Sequence, residues 1–376
     1  MLYTTFISAG TLSNNGHGFN FSTIINVCIG LLVFGFIIFF HELGHFLLAK
    51  KNGIEVIEFA IGMGPLLFSF DKNGTKYSLR LIPMGGFCMM LGEDEDVDDE
   101  HSFSRKTVWQ RLAVVLAGPV FNFILAFILS LVLIGLCGYD KPVVEDFADG
   151  SPAKEAGVMK GDVITRYNGS RIYNYREVLI YSQLNQNGSD ITLEVNRNGE
   201  TIDFTFTPVM SEETGSYLMG IRGGSRERKN AWNVIKYSGL EMRYQVKTVY
   251  LSLKYLITGK LGIENVSGPV GIVSMINDTI NEAKESAGED KSLAVINVIL
   301  NMINFCILIS ANLGVMNLLP IPALDGGRAF LYIIEGIFRK KLSTQKEAFI
   351  NTVGFMLLIG LMIVVMFQDI FKLVIK

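Results

Sequence analysis

The segment IINVCIGLLVFGFIIFFHELGHF (24–46) decides the fold, because it joins a membrane-length apolar run to a group of ionisable side chains. At a rise of about 1.5 Å per residue, about 20 apolar residues cross the roughly 30 Å of bilayer hydrocarbon. The region 22–48 is therefore predicted to be a transmembrane helix. Ionisable groups in such a helix are costly unless something polar receives them, so His41, Glu42 and His45 predict a functional site.

The spacing H-E-x-x-H makes His41 and His45 candidate ligands of one zinc ion. Residues four apart share one face of a helix, so both ring nitrogens can reach the same ion. Glu42 is the candidate general base, which takes a proton from a water molecule whose pKa the metal lowers towards about 7. A chance H-E-x-x-H is the alternative, and its cost in a membrane helix argues against it. His17 and His101 lie in polar stretches and are predicted to be surface residues.

A catalytic zinc site needs a third protein ligand and leaves a fourth position for water. The candidate is Asp325, in the stretch PIPALDGGR (320–328) at the end of a long apolar segment. The two prolines before it end the helix, and the two glycines after it let the backbone turn closely. The alternatives are that Asp325 only caps a helix, or that Glu55 or Glu58 is the third ligand.

Hydrophobic residues make up 49% of the 376 residues, which is typical of a membrane protein. Segments that are apolar and long enough to cross a bilayer are 22–48, 112–137, 293–319 and 349–371. The predicted fold is a multi-pass α-helical membrane protein with about four transmembrane helices, a membrane-associated β-hairpin loop and an inserted extracytoplasmic domain.

The orientation follows from the positions of Lys and Arg. Residues 1–49 contain neither, whereas the connection 50–111 and the connection 320–348 are rich in both. The positive-inside rule therefore places these two connections in the cytosol of a plasma-membrane protein, and both termini and residues 138–292 outside.

The chain is predicted to have four parts. Residues 1–137 form a first membrane part, in which the mixed stretch 77–91 is expected to form a hairpin at the bilayer edge. Residues 138–212 form a small domain rich in β-strands, and 213–292 form a linker with an interfacial amphipathic helix at 230–258. Residues 293–376 form the second membrane part.

Two further features carry structural expectations. Cys28, Cys88, Cys137 and Cys306 lack metal-site spacing and are expected to be small buried thiols. The acidic run 93–100 is expected to be a solvated loop.

Two resemblances to known families follow from longer motifs. The stretch DGSPAKEAGVMKGDVITRYNGSRI (149–172) resembles a PDZ domain of the bacterial protease type. Across nearly the whole chain, the sequence is similar to the site-2 protease family and its RseP- and RasP-type regulators of stress sigma factors. The motifs that carry this second resemblance are FHELGHF at 40–46, GPVFN at 118–122, SGPVGI at 267–272 and NLLPIPALDGG at 317–327. A single PDZ-like domain departs from members that have two.

The site-2 resemblance implies a zinc metalloendopeptidase that cuts transmembrane segments, with one zinc ion per chain on His41, His45 and Asp325 and with Glu42 as base. It also implies substrate contacts by Asn312 and Asn317. Interhelical hydrogen bonds are the alternative for these two asparagines, which would point about 140° apart on an unbroken helix.

Further substrate contacts are expected at Asn122, which fits either role, and at Gly85 and Gly86, in a strand that could pair with an extended substrate. The expected partners are a membrane protein with a transmembrane helix and the lipid bilayer, and no nucleic acid. Two other functions stay open: a catalytically silent membrane scaffold that binds peptides through its PDZ-like domain, and a different membrane zinc protease.

Overall fold

The structure is a computed structural model that describes residues 21–211, 216–224, 226–227, 230–259, 268–288, 290–340 and 343–374. His17 and Ser267 are not among the described residues. The prediction that the N-terminal residues are extracytoplasmic also concerns residues that the structure does not describe. The described chain divides into two compact units. One comprises residues 130–244, and the other comprises the described residues on either side of that range.

Nine helices occur in the described residues. They are α1 (Phe21–Lys51), α2 (Val108–Cys137), α3 (Pro152–Glu155), α4 (Tyr175–Leu184), α5 (Ala231–Ile257), α6 (Pro269–Glu285), α7 (Lys291–Leu318), α8 (Asp325–Phe338) and α9 (Thr344–Val374).

Parts of four helices are long and apolar enough to cross a membrane, within the residues that the structure describes. These parts are Cys28–Lys51, Val108–Cys137, Lys291–Leu318 and Gln345–Asp369. The prediction of four spans is confirmed to this extent. The C-terminal end of α1, the start of α2 and one face of α8 share a hydrophobic core with the strands beside them, and this core includes Val56, Val115 and Tyr332.

A long antiparallel hairpin follows α1 and consists of β1 (Val56–Lys72) and β2 (Thr75–Met90). Asn73 and Gly74 both have positive φ, of 51° and 73°, which fits the tight turn of a two-residue hairpin. The prediction that both strands of a hairpin lie within 77–91 was wrong. That stretch is one strand, and its partner is the segment before the Asn-Gly turn.

The unit of residues 130–244 is built around a four-stranded antiparallel sheet in the order β6-β5-β7-β8. The strands of this unit are β3 (Tyr139–Asp140), β4 (Val144–Phe147), β5 (Val163–Tyr167), β6 (Ser170–Arg171), β7 (Ile191–Arg197), β8 (Glu200–Phe206), β9 (Val209–Ser211), β10 (Ser216–Leu218), β11 (Ile221–Gly223) and β12 (Arg226–Glu227). Alternate residues of β7 point into the core, where Ile191, Leu193 and Val195 are fully buried.

The folded unit continues past the predicted boundary at residue 212. Strand β11 pairs with β4, and β12 pairs with β3, so the last strands form two small two-stranded sheets with the first ones. Residues 230–258, predicted to be an interfacial helix, form α5 almost completely. The helix exposes Trp232, Tyr250 and Ile257, and its position at a membrane surface stays a prediction.

The cysteine and acidic-run expectations hold only in part. None of the four cysteines forms a disulfide, and Cys88 and Cys306 are buried, but Cys28 is exposed. The acidic run is mostly exposed, but Glu93 is half-buried and forms an ion pair with Arg328 of α8. A charge run at the surface can still contribute a structural ion pair where a basic side chain from another element reaches it.

Candidate metal centre

The structure brings His41, His45 and Asp325 together, although 280 residues separate the last two. The Nε2 atoms of the two histidines are 3.2 Å apart. Asp325 Oδ2 lies 3.0 Å from His41 Nε2 and 3.5 Å from His45 Nε2. Both histidines are buried, and no other group of described residues offers three such ligand atoms within reach of one ion.

Asp325 reaches the histidines because the helical conformation is interrupted between α7 and α8. Helix α7 ends at Leu318, and α8 begins at Asp325 itself. A Cβ atom at Gly326 would lie 2.2 Å from the carbonyl oxygen of Leu319, and one at Gly327 would lie 2.3 Å from that of Ile321. Only glycine fits such close backbone contacts, so the two glycines after Asp325 make the tight turn possible.

Each histidine is oriented through its other ring nitrogen. His45 Nδ1 donates to the backbone carbonyl of Val114 at 2.9 Å, and His41 Nδ1 lies 3.0 Å from the side-chain amide of Asn122. When Nδ1 carries the proton, Nε2 has a lone pair free to bind a metal. For His41 this requires the amide oxygen of Asn122 to face the ring. That oxygen is otherwise buried without a partner, and a 180° rotation of the amide satisfies it.

The arrangement fits a zinc ion. Three atoms that each lie about 2.0–2.1 Å from a tetrahedral ion are about 3.3 Å from one another, and the three distances here are 3.2, 3.0 and 3.5 Å. Asp325 Oδ2 is buried without a hydrogen-bond donor among the described residues. Three electron-rich atoms so close together repel one another unless a cation lies between them.

Glu42 is the next residue of α1 after His41, and it faces the hairpin. A Cβ atom at Gly86 would lie 3.6 Å from Glu42 Cγ, so strand β2 passes directly beside this side chain. Gly85 has a φ of 91° and lies against the side chain of Met63 instead. Of the two glycines predicted to contact substrate, only Gly86 is therefore shown beside a residue of the site.

The three predicted asparagines occupy different positions. Asn122 is fully buried against His41, and its backbone carbonyl accepts a hydrogen bond from Ser310 Oγ at 2.8 Å. Asn312 and Asn317 both lie in α7, which runs unbroken to Leu318, so they face different directions. The side-chain oxygen of Asn312 is buried without a partner among the described residues, and its predicted contact with substrate stays a prediction.

The rival ligands are placed elsewhere. Glu55 is exposed, and Glu58 accepts hydrogen bonds from Ser78 Oγ at 2.5 Å and from Arg80 Nη2 at 2.8 Å. Burial alone would raise the pKa of Glu58, but these hydrogen bonds outweigh it and lower the pKa. Glu58 is thus a carboxylate engaged by an arginine. His101 is exposed and pairs with Asp99.

Two contributors to the site were not recognised in the sequence. A Cβ atom at Gly118 of α2 would lie 2.3 Å from His45 Nε2, and one at Gly44 of α1 would lie 2.4 Å from the carbonyl oxygen of Ala117. The two helices approach this closely only because both residues lack a side chain. A signal was present, since Gly118 begins the motif GPVFN.

The described chain combines four helices that are apolar enough to cross a membrane with a His-His-Asp cluster that has a glutamate beside it, and these parts define a metallopeptidase of the membrane-protein type. Comparison with known proteins agrees. The sequence model of peptidase family M50 matches residues 29–361, and the chain belongs to this family.

Three relatives cover nearly the same length. A protein of Clostridium acetobutylicum provisionally named as a zinc metalloprotease is 40% identical over 93% of this chain and 98% of its own. The zinc metalloprotease RasP of Geobacillus kaustophilus is 31% identical over 93% of this chain and 99% of its own. The regulator of sigma-W protease RasP of Bacillus subtilis is 30% identical over 91% of this chain and 97% of its own. The chain is therefore a zinc metalloprotease of a membrane-protein family.

Proposed function

We propose that this zinc metalloprotease hydrolyses peptide bonds within transmembrane segments of other membrane proteins, with one zinc ion held by His41, His45 and Asp325. The observation that carries the proposal is the convergence of these three ligand atoms within 3.5 Å of one another, with both histidines on a helix that is apolar enough to cross a bilayer. A protease with metal ligands on such a helix acts on chains that also lie in the membrane.

The chemistry follows from the positions of the side chains. When bound, zinc lowers the pKa of a water molecule and polarises the scissile carbonyl. Glu42 accepts a proton from the attacking water and passes it to the leaving amine. Asn122 keeps the Nδ1 proton of His41 in place, which supports an orienting role for this buried amide in preference to direct contact with substrate.

Substrate binding is supported by two features beside the site. A transmembrane helix hides its carbonyl groups in its own hydrogen bonds, so it must be extended before it can be cut. Strand β2 passes Glu42 at Gly86, where an extended segment could add to the hairpin as a further strand. Asn312 and Asn317 of α7 are proposed as further substrate contacts, and the side-chain oxygen of Asn312 has no partner among the described residues.

The substrate class follows from the relatives. The Bacillus subtilis relative is named as a regulator of sigma-W, so we propose membrane-bound anti-sigma factors, and signal-peptide remnants in the membrane, as substrates of this chain. The Lys and Arg distribution supports a plasma-membrane orientation with both termini and residues 138–292 outside. A PDZ-like domain within those residues would then act outside as a docking site or size filter.

Replacement of Glu42 by Gln tests the mechanism. The variant keeps the size of the side chain and all three metal ligands but has no base, so cleavage of a reconstituted membrane substrate should fall by a factor of about 10²–10⁴. Zinc content, measured by mass spectrometry of the metal, should stay at that of the wild type. Glu55→Gln is the matched control, because it removes the same charge from an exposed residue that follows the end of α1. Undiminished cleavage by Glu42→Gln would refute the mechanism.

A further inference from the structure

Helix α8, which begins with Asp325, exposes an unusual amount of apolar surface. Five large side chains are between 37% and 69% exposed, and at 100° per residue they lie within an arc of about 140°. These residues, the outer face of α8, are Phe330, Ile333, Ile334, Ile337 and Phe338.

The opposite face of α8 makes polar contacts with the rest of the unit. Arg328 pairs with Glu93 and Asp94, which follow the hairpin. Glu335 Oε1 accepts a hydrogen bond from Arg111 of α2 at 2.5 Å. The hydroxyl of Tyr332 donates to Glu347 of α9 at 2.6 Å. In a water-soluble protein an amphipathic helix turns its apolar face to the core and its polar face outwards, and α8 does the reverse.

Hydrocarbon is the covering that suits such a face. The 14 residues of α8 extend about 21 Å, which is too short to span a bilayer, and the helix lies in the chain between the spans of α7 and α9. Two exposed basic residues, Arg339 and Lys340, follow its last residue. Trp109 of α2 is 64% exposed and lies beside α8, 3.5 Å from where a Cβ atom of Gly336 would be. Tryptophan and basic residues together are typical of the boundary between acyl chains and headgroups.

We propose that α8 is a lipid-binding helix that lies along the bilayer surface. Its outer face is embedded among acyl chains, and Arg339 and Lys340 contact the phosphate groups of anionic phospholipids. That this leaflet is the cytosolic one rests on the orientation proposed above. Because Asp325 is the first residue of α8, the bilayer surface then helps to hold the third metal ligand at a fixed depth.

The depth of Trp109 tests the position of the helix. The chain has two tryptophans, so a Trp232→Phe variant leaves Trp109 as the only fluorophore of its kind. This full-length variant would be reconstituted in bilayers whose phospholipids carry bromine either near the glycerol end or near the methyl end of the acyl chains. We expect at least twofold stronger quenching by the shallow bromines. Quenching by aqueous acrylamide as strong as for free tryptophan, or equal or stronger quenching by the deep bromines, would overturn the proposal.

The headgroup contact is tested by a charge-matched pair of variants. Arg339→Gln with Lys340→Gln should reduce the retention of phosphatidylglycerol relative to phosphatidylcholine by at least half, measured by mass spectrometry of lipids that remain bound to the purified protein. Lys154→Gln with Lys160→Gln removes two charges from exposed residues of the unit 130–244 and should leave the ratio unchanged. An equal effect of both pairs, or none from the first, would overturn the headgroup assignment. Neither measurement uses proteolysis, so their failure and the failure of the proposed function are distinguishable.

Discussion

Gly118→Ala should weaken zinc binding at the candidate metal centre although it replaces none of the three candidate ligands. The added Cβ would lie 2.3 Å from His45 Nε2 and 2.7 Å from His41 Cε1, whereas carbon atoms in contact are normally about 3.5 Å apart. The helices or the imidazole rings must therefore move by about 1 Å. A ring cannot move this far and keep its metal bond, because zinc–ligand distances tolerate only about 0.2 Å. The hydrogen bonds at Val114 and Asn122 further restrict both rings.

The magnitude follows from the cost of overpacking. Extra carbon atoms in a packed interior typically cost ~1–3 kcal/mol. If that cost falls on the metal-bound state, zinc affinity should drop by a factor of about 5–150, since about 1.4 kcal/mol corresponds to a factor of ten. The measurement is zinc retained per chain after equilibration with a graded series of chelator concentrations.

Gly135→Ala provides the matched control for this prediction. It makes the same substitution in the same helix, at a position where an added Cβ would meet no atom of the described residues within 4 Å beyond its chain neighbours and the nearby backbone of its own helix. We expect Gly135→Ala to bind zinc like the wild type. If Gly118→Ala also retained zinc like the wild type at every chelator concentration, the close approach of α2 to the histidines would not be needed for zinc binding.

Three further predictions address the ligand set, the small unit and its role. Asp325→Ala should lose zinc on dialysis, and normal zinc content with normal cleavage would remove Asp325 from the site. Burial alone would raise the pKa of Asp162, but hydrogen bonds from Arg197 and from the backbone N–H of Met159 lower it overall. Asp162 therefore stabilises the folded state above the unfolded pKa of about 3.9, and this stabilisation is lost as the pH falls below that value. Amide protection of β5 in the full chain should therefore drop on acidification in the wild type, and less steeply in Asp162→Asn at matched pH. Deletion of 138–230, which removes all described strands of the small unit together, should leave zinc content unchanged and should widen cleavage to substrates with bulky outside domains. Loss of zinc in this variant would refute the role of the unit as a size filter.

The three candidate metal ligands could be proposed from the sequence because their chemistry is local. His41 and His45 share a helix turn, and a carboxylate beside two prolines and two glycines marks a break in a spanning helix. The cost of ionisable groups in a bilayer makes each of these features informative by itself. Only the distances between the histidines and Asp325 could not be predicted without the folded structure.

The remaining features depend on pairings across the chain that local patterns do not encode. Strand β2 was recognised, but its partner was not, because β1 exposes apolar residues on both faces and therefore lacks simple alternation. The ion pair of Arg328 with Glu93 joins residues 235 positions apart, so the acidic run alone gave no sign of it. The role of Gly118 depends on how closely two helices approach, which sequence spacing does not specify.

The hydrogen bond from His45 Nδ1 ends on a main-chain oxygen, and every amino acid at position 114 supplies the same oxygen. A library of substitutions scored by activity would report on the packing of the Val114 side chain and would not detect this acceptor. The backbone carbonyl of Val114, which orients the His45 ring, would therefore not be identified by side-chain mutagenesis. Backbone chemistry can reveal it, since an amide-to-ester exchange after residue 114 weakens the carbonyl as an acceptor and leaves every side chain in place.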